Sequence, residues 1–145
     1  MEKQDYNTVI IVTVTPKEAF EGIGRVSEWW ITKVDGSSHN LNDIFTVHFR
    51  EDSFVTFKIV QAFADKKIVW LVTDCNLPWL KDKKEWKDTK IEWEISNKDN
   101  LTHINMIHIG LVPKIECYIS CVKGWDQYVK GSLFKLLTEG KGLPN

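Results

Sequence analysis

From Lys90 onward apolar and polar positions alternate, with Ile91, Trp93 and Ile95 on one face of a predicted strand and Lys90, Glu92 and Glu94 on the other. A second run goes from Leu101 to Leu111 and closes at Pro113. There the period changes from two to about 3.6, and Ile115, Tyr118, Ile119, Val122, Trp125, Val129, Leu133 and Leu136 form one apolar stripe. This spacing predicts a mainly helical segment over 114–139, with Gly124 as its weakest point. A single long amphipathic helix after a meander of strands must bury its stripe against the sheet, on the face of Trp93, Ile95, Ile104 and Met106. Such a grip encloses a space.

Upstream, the β-branched run Tyr6 to Val14 reads as a strand. Thr15-Pro16-Lys17-Glu18 then opens a helix, with Thr15 as N-cap, Pro16 in the first turn and Glu18 completing a capping box. Gly22 and Gly24 keep that helix short, and a second helical turn follows around Val26 to Trp30. Asp35-Gly36-Ser37-Ser38 and Asn40 to Asp43 read as turns. Ile44 to Arg50 and Phe54 to Phe63 read as strands joined by a tight Glu51-Asp52 connection, and Ile68 to Thr73 as another. Leu77 to Asp88 breaks the pattern by mixing Pro78, Trp79 and Trp86 with a run of charges, which predicts a long exposed loop of the kind that serves as a lid. The expected order is one strand, two small helices, about six strands and a long helix, all in one domain spanning 1–145.

Nineteen basic residues nearly balance 20 acidic ones, so no electrostatic footprint for nucleic acid is implied. No apolar run approaches the length of a membrane span, and no basic-then-apolar leader opens the chain. Cys75, Cys117 and Cys121 are an odd, sparse set without the spacing of a disulfide framework, which predicts free thiols in a reducing, cytoplasmic setting. Seven tryptophans exceed what a core of this size requires, so some are expected to line a pocket or a lid.

Candidate chemistry is sparse. His103 and His108 lie five apart on one strand and face opposite ways, so they cannot share an ion, and no metal or cofactor site is expected. His108 shares parity with Thr102, Ile104 and Met106; it is either a core histidine bonded to a neighbour or a polar anchor in an apolar pocket. Cys117 and Cys121 share a helix face and read as inert buried thiols. Ser132 lacks a nucleophile elbow, Gly22-Ile23-Gly24 lacks a nucleotide fingerprint, and Glu92 and Glu94 sit on the outer face. No catalytic constellation emerges.

His108-Ile109-Gly110-Leu111-Val112-Pro113, Glu116-Cys117-Tyr118, Gly124-Trp125, Gly131-Ser132-Leu133 and Glu139-Gly140-Lys141-Gly142 together resemble the C-terminal signature of the SRPBCC superfamily. The branch named for the activator of heat-shock protein 90 ATPase is the nearest in pattern; Thr15-Pro16-x-x-Ala19-Phe20 and Glu85-Trp86-x-x-Thr89 are similar to it as well. The resemblance implies an α+β helix-grip fold, with a curved antiparallel sheet wrapped around the C-terminal helix, as in START and birch-pollen-allergen-like proteins. It also implies an apolar ligand between helix and sheet, although fold alone does not give function.

Three functional readings follow. The first is a binding protein for a small apolar, aromatic or lipid-like ligand, in a cavity walled by Trp30, Phe49, Phe57, Trp70, Trp93, Met106, His108, Tyr118, Val122 and Trp125, with Trp79 near its mouth. The second is a cyclase or dehydratase-type enzyme using His108 or Tyr118 as acid–base. The third is a domain that engages a chaperone partner through an exposed apolar patch. The sequence leaves ligand and oligomeric state open.

Overall fold

Residues 5–50 and 52–145 are described by a computed structural model. Strand β1 (Tyr6–Val12) is followed by helices α1 (Pro16–Gly24) and α2 (Val26–Trp29), then by β2 (Val34–Gly36), β3 (Ile44–His48), β4 (Phe54–Phe63), β5 (Lys67–Asn76), β6 (Lys90–Lys98) and β7 (Leu101–Ile109). These seven strands form one antiparallel sheet in the order β1-β7-β6-β5-β4-β3-β2. The capping box at α1 is formed: the Thr15 hydroxyl accepts from the Glu18 amide, and the Glu18 carboxylate accepts from the Thr15 amide, each at 3.1 Å.

The alternation read from the sequence becomes burial. Ile91, Trp93 and Ile95 on β6 and Thr102, Ile104, Met106 and His108 on β7 all face inward. Trp29, Trp70 and Trp93 are fully buried, with Trp93 edge-on to both of the others.

The C-terminal helix starts later than its stripe suggests. It comprises α3 (Tyr118–Trp125), a π-helical stretch Asp126–Leu133 and α4 (Phe134–Glu139), ending at Gly140 in the left-handed conformation (φ 82°). Residues 114–117 form turns, because the amides of Glu116 and Cys117 donate to the Glu85 carboxylate at 3.1 and 3.3 Å instead of to helical carbonyls. The helix also runs unbroken through Gly124, and its irregularity begins two residues later. Trp125, Val129 and Leu133 recur at steps of four, which overrun an α-helical turn by about 40° each; the wider i→i+5 turns absorb the excess and keep all three buried. Ile119 does not join the stripe and is 70% exposed.

Two other sequence expectations shift. Asp35-Gly36 is part of β2, which pairs with β3 through Asp35↔Thr46 and Gly36↔Phe45. In the β3–β4 connection Glu51 lies outside the described residues, while the Asp52 carbonyl accepts from Asn76 Nδ2 at 2.9 Å. No helix among the described residues is long and apolar enough to cross a membrane.

Candidate ligand pocket

The loop 77–88 folds back on the start of α3. The Leu77 amide donates to the Lys83 carbonyl, which closes the loop on itself, and Lys84 Nζ pairs with Asp74 at 2.9 Å. The clasp to the helix is reciprocal. Glu85 receives the amides of Glu116 and Cys117, and the Glu116 carboxylate receives the amide of Lys81 at 2.9 Å. Cys117, at the N-cap of α3, makes no capping bond through its own side chain, and the Glu85 carboxylate holds the two amides that lead into the helix. A negative group there also complements the helix dipole.

This docking leaves a cavity of about 160 Å³ between the loop, α3 and the adjoining ends of β3 and β4. Its aromatic walls are Trp30, Phe49, Trp79, Trp86, Trp125 and Tyr128; Cys121 and Gly124 face it from the helix. Trp30 packs against Trp125 with centroids 4.9 Å apart, and Trp79, 53% exposed, lies edge-on to Phe49 at the mouth. The Trp30 carbonyl is itself held by the Asn145 amide at 2.8 Å. Larger clefts exist elsewhere, but charged and polar groups such as Lys17, Glu21 and Asp65, or Asp35, His48 and Arg50, contribute to their walls.

Behind the pocket runs a buried polar relay. Trp125 Nε1–H donates to His108 Nδ1 at 3.0 Å, and His108 Nε2 lies 3.0 Å from Thr89 Oγ1. The Thr89 hydroxyl donates to the Trp86 carbonyl at 2.6 Å, which leaves its oxygen to accept the proton on His108 Nε2. The imidazole is therefore neutral, with its proton on Nε2. Protonating Nδ1 would set two donors against each other at Trp125, and burial lowers the His108 pKa to about 3. Both ring nitrogens are used, so His108 ties Trp125 directly, and Trp86 through Thr89, to strand β7.

The ten residues predicted for the cavity divide into distinct groups. Trp30, Phe49 and Trp125 line the pocket, and Trp79 stands at its mouth. Phe57, Trp70, Trp93 and Met106 are fully buried in the core behind it, and His108 sits in the relay. The indole nitrogens of Trp70 and Trp93 are buried without a hydrogen-bond partner. Val122 is half-buried without contributing to the pocket wall, because the helix turns Cys121, Gly124 and Trp125 that way instead. Tyr118 lies by Asp5, Tyr6 and Asn105 in a separate open cleft, beside the Tyr6 hydroxyl that donates to Asp126. Trp86 and Tyr128 are pocket residues that the sequence reading did not single out. A tryptophan isolated among lysines and aspartates was the available signal for Trp86, since such a residue is exposed at a cost unless it packs inward.

The three cysteines are unpaired. Cys121 hydrogen-bonds to Cys117, which raises the Cys121 pKa and lowers that of Cys117; Trp86 Nε1–H also donates to Cys117 Sγ at 3.2 Å. Burial raises the Cys75 thiol. Among the described residues no group of three or more His, Cys, Asp or Glu side chains is placed to hold a metal ion.

No protein-family profile and no curated protein sequence matches the chain. Solved structures do. The Aha1 dimer from Colwellia psychrerythraea superposes with a TM-score of 0.79 at 19% identity, over 96% of this chain and 99% of that one. DynU16, a putative protein of the dynemicin biosynthetic locus, gives 0.70 at 14% identity over 95% of this chain and 48% of that one. CalU16 from Micromonospora echinospora gives 0.63 at 10% identity over 94% and 86%. The chain shares the helix-grip fold of these structures, a curved antiparallel sheet around a C-terminal helix; at these identities the likeness is one of fold.

Proposed function

We propose that this protein binds a small apolar ligand in the aromatic pocket between α3 and the sheet. Gly124 carries the reading. Glycine within a helix is about 1 kcal/mol less favourable than alanine, so a reason for it is expected in packing, backbone or function. Packing does not require it, since a Cβ built there meets no atom within 4 Å, and its φ is not in the left-handed range. What a side chain at this position would fill is the pocket that Gly124 faces. Gly131 is equally uncrowded but lies on the exposed side of the helix.

The fold supports the same reading, because structural neighbours include proteins such as DynU16, from a biosynthetic locus. Enzymatic use finds less support: His108 is saturated by Trp125 and Thr89, and Tyr118 opens on a different cleft.

The test is titration of small aromatic compounds into the wild-type protein and Gly124→Leu, read by tryptophan fluorescence. Four of the seven tryptophans line the pocket, so occupancy should quench emission. Gly124→Leu should keep its circular dichroism and melt no lower than wild type while losing at least tenfold in affinity. Equal binding by a folded Gly124→Leu protein would place the ligand elsewhere and defeat the proposal.

A further inference from the structure

Resting on that pocket reading, we infer that the ligand is an uncharged aromatic molecule of one or two rings, not a sterol, a long-chain fatty acid or a polycyclic compound. Size is the first argument. The cavity measures about 160 Å³, close to the roughly 150 Å³ that admits benzene and well under the roughly 300–1,000 Å³ of pockets for drug-sized ligands. The loop that would have to move for a larger guest is tied at both ends of its clasp, by Glu85 to α3 and by Glu116 to Lys81.

Wall chemistry is the second argument. Trp30, Phe49, Trp86 and Trp125 surround the space with ring faces and edges, whose quadrupoles favour another ring over an aliphatic chain. Charge is the third. Among the described residues no Asp, Glu, Lys, Arg or His side chain lines the pocket. The two titratable groups that do, Cys121 and Tyr128, both have raised pKa values, Cys121 through its bond to Cys117 and Tyr128 through burial, so they stay neutral. An ion entering would shed water without gaining a counter-charge. Aromatic walls can still attract an ammonium group, which makes a quaternary amine the sharpest competing guest.

The experiment is a calorimetric and fluorescence panel of indole, 2-naphthol, benzoate, tetramethylammonium, palmitate and cholesterol, against wild type and Gly124→Leu. Indole or 2-naphthol should bind wild type at least tenfold more tightly than every other probe, and Gly124→Leu should lose that binding. If palmitate or cholesterol binds more tightly and remains sensitive to Gly124→Leu, the size inference falls while the pocket reading stands. If benzoate or tetramethylammonium wins with the same sensitivity, the inference of an uncharged guest falls alone. If no probe binds, or binding ignores Gly124→Leu, the pocket reading itself fails and takes the inference with it.

Discussion

The indole N–H of Trp125 donates to Nδ1 of His108 across 3.0 Å, joining the gripped helix to strand β7 through one buried hydrogen bond. A wall residue of the pocket is thereby held by a residue of the sheet that never reaches the pocket.

That bond makes stability depend on pH. In the unfolded chain His108 takes up its proton near pH 6.5, whereas in the folded protein burial lowers the pKa to about 3. The unfolded state therefore holds one more proton between these values. The stabilisation is complete above pH 6.5 and declines as pH falls toward 3, by up to about 1.4 kcal/mol per unit. His108→Phe should cost about 1–3 kcal/mol at neutral pH by leaving Trp125 and Thr89 without their partner. Its deficit relative to wild type should shrink at pH 4.5, since phenylalanine does not titrate. Urea unfolding of both proteins at pH 7.5 and 4.5 measures this; a deficit unchanged by pH would contradict the neutral-imidazole assignment.

Glu85 holds the amides of Glu116 and Cys117, 31 and 32 residues later in the chain, just ahead of α3. Glu85→Ala should cost about 0.5–2 kcal/mol for the loss of two charge-assisted hydrogen bonds at a partly exposed site, and Glu85→Gln less, because an amide oxygen still accepts. Loop release should show in limited trypsin digestion, with faster cleavage after Lys81, Lys83, Lys84 or Lys87 in Glu85→Ala. Identical cleavage rates would mean that the loop is held by something other than this clasp.

Gly124→Ala should stabilise the protein. A methyl group at that site meets no neighbour within 4 Å, so the gain in helix propensity, about 0.5–1 kcal/mol, is unopposed. Thermal unfolding should shift upward by about 2–4 °C for each kcal/mol. A lowered melting temperature would show that the glycine answers a packing demand.

The thiols should differ in reactivity. Under native conditions iodoacetamide should reach Cys121 first and slowly, because it is half-buried and holds its proton against Cys117. Cys75 and Cys117 should label only on unfolding, being at most 2% exposed. Peptide mass mapping decides the order, and rapid native labelling of Cys75 would contradict its burial.

The strands and the gripped helix were legible because alternation and the 3.6-residue stripe report directly which face meets the core. Strand β2 was not, since Asp35 and Gly36 are turn formers and only pairing with β3 makes them extended. The start of α3 was hidden because the amides of Glu116 and Cys117, just ahead of it, are claimed by Glu85, a contact that local sequence cannot reveal. The candidate site was legible only in outline. Core and pocket draw on the same residue types, so Trp70 and Trp93 could not be told from Trp30 and Trp125 until the sheet placed them. Gly124 was read as a weak point in the helix; in the fold its missing side chain is space. His108 makes hydrogen bonds to Trp125 and Thr89, contacts of the kind that the core reading expects.

The π-helical stretch from Asp126 to Leu133 has a consequence for how the chain can change length. Upstream of it, Cys121, Gly124 and Trp125 face the cavity; downstream, Leu136 and Leu137 are buried, with Leu137 touching the space above Gly22 of α1. The wide turns allow these two ends to be phased separately, as a spacer washer sets two parts of a shaft. Deleting one residue within 126–133 would turn a wide turn into an ordinary α-turn and leave both ends in phase, whereas deleting one from α3 would rotate what precedes it by about 100°. The helix can therefore lose a residue inside the wide stretch and keep both the cavity and the contact with α1, but not outside it.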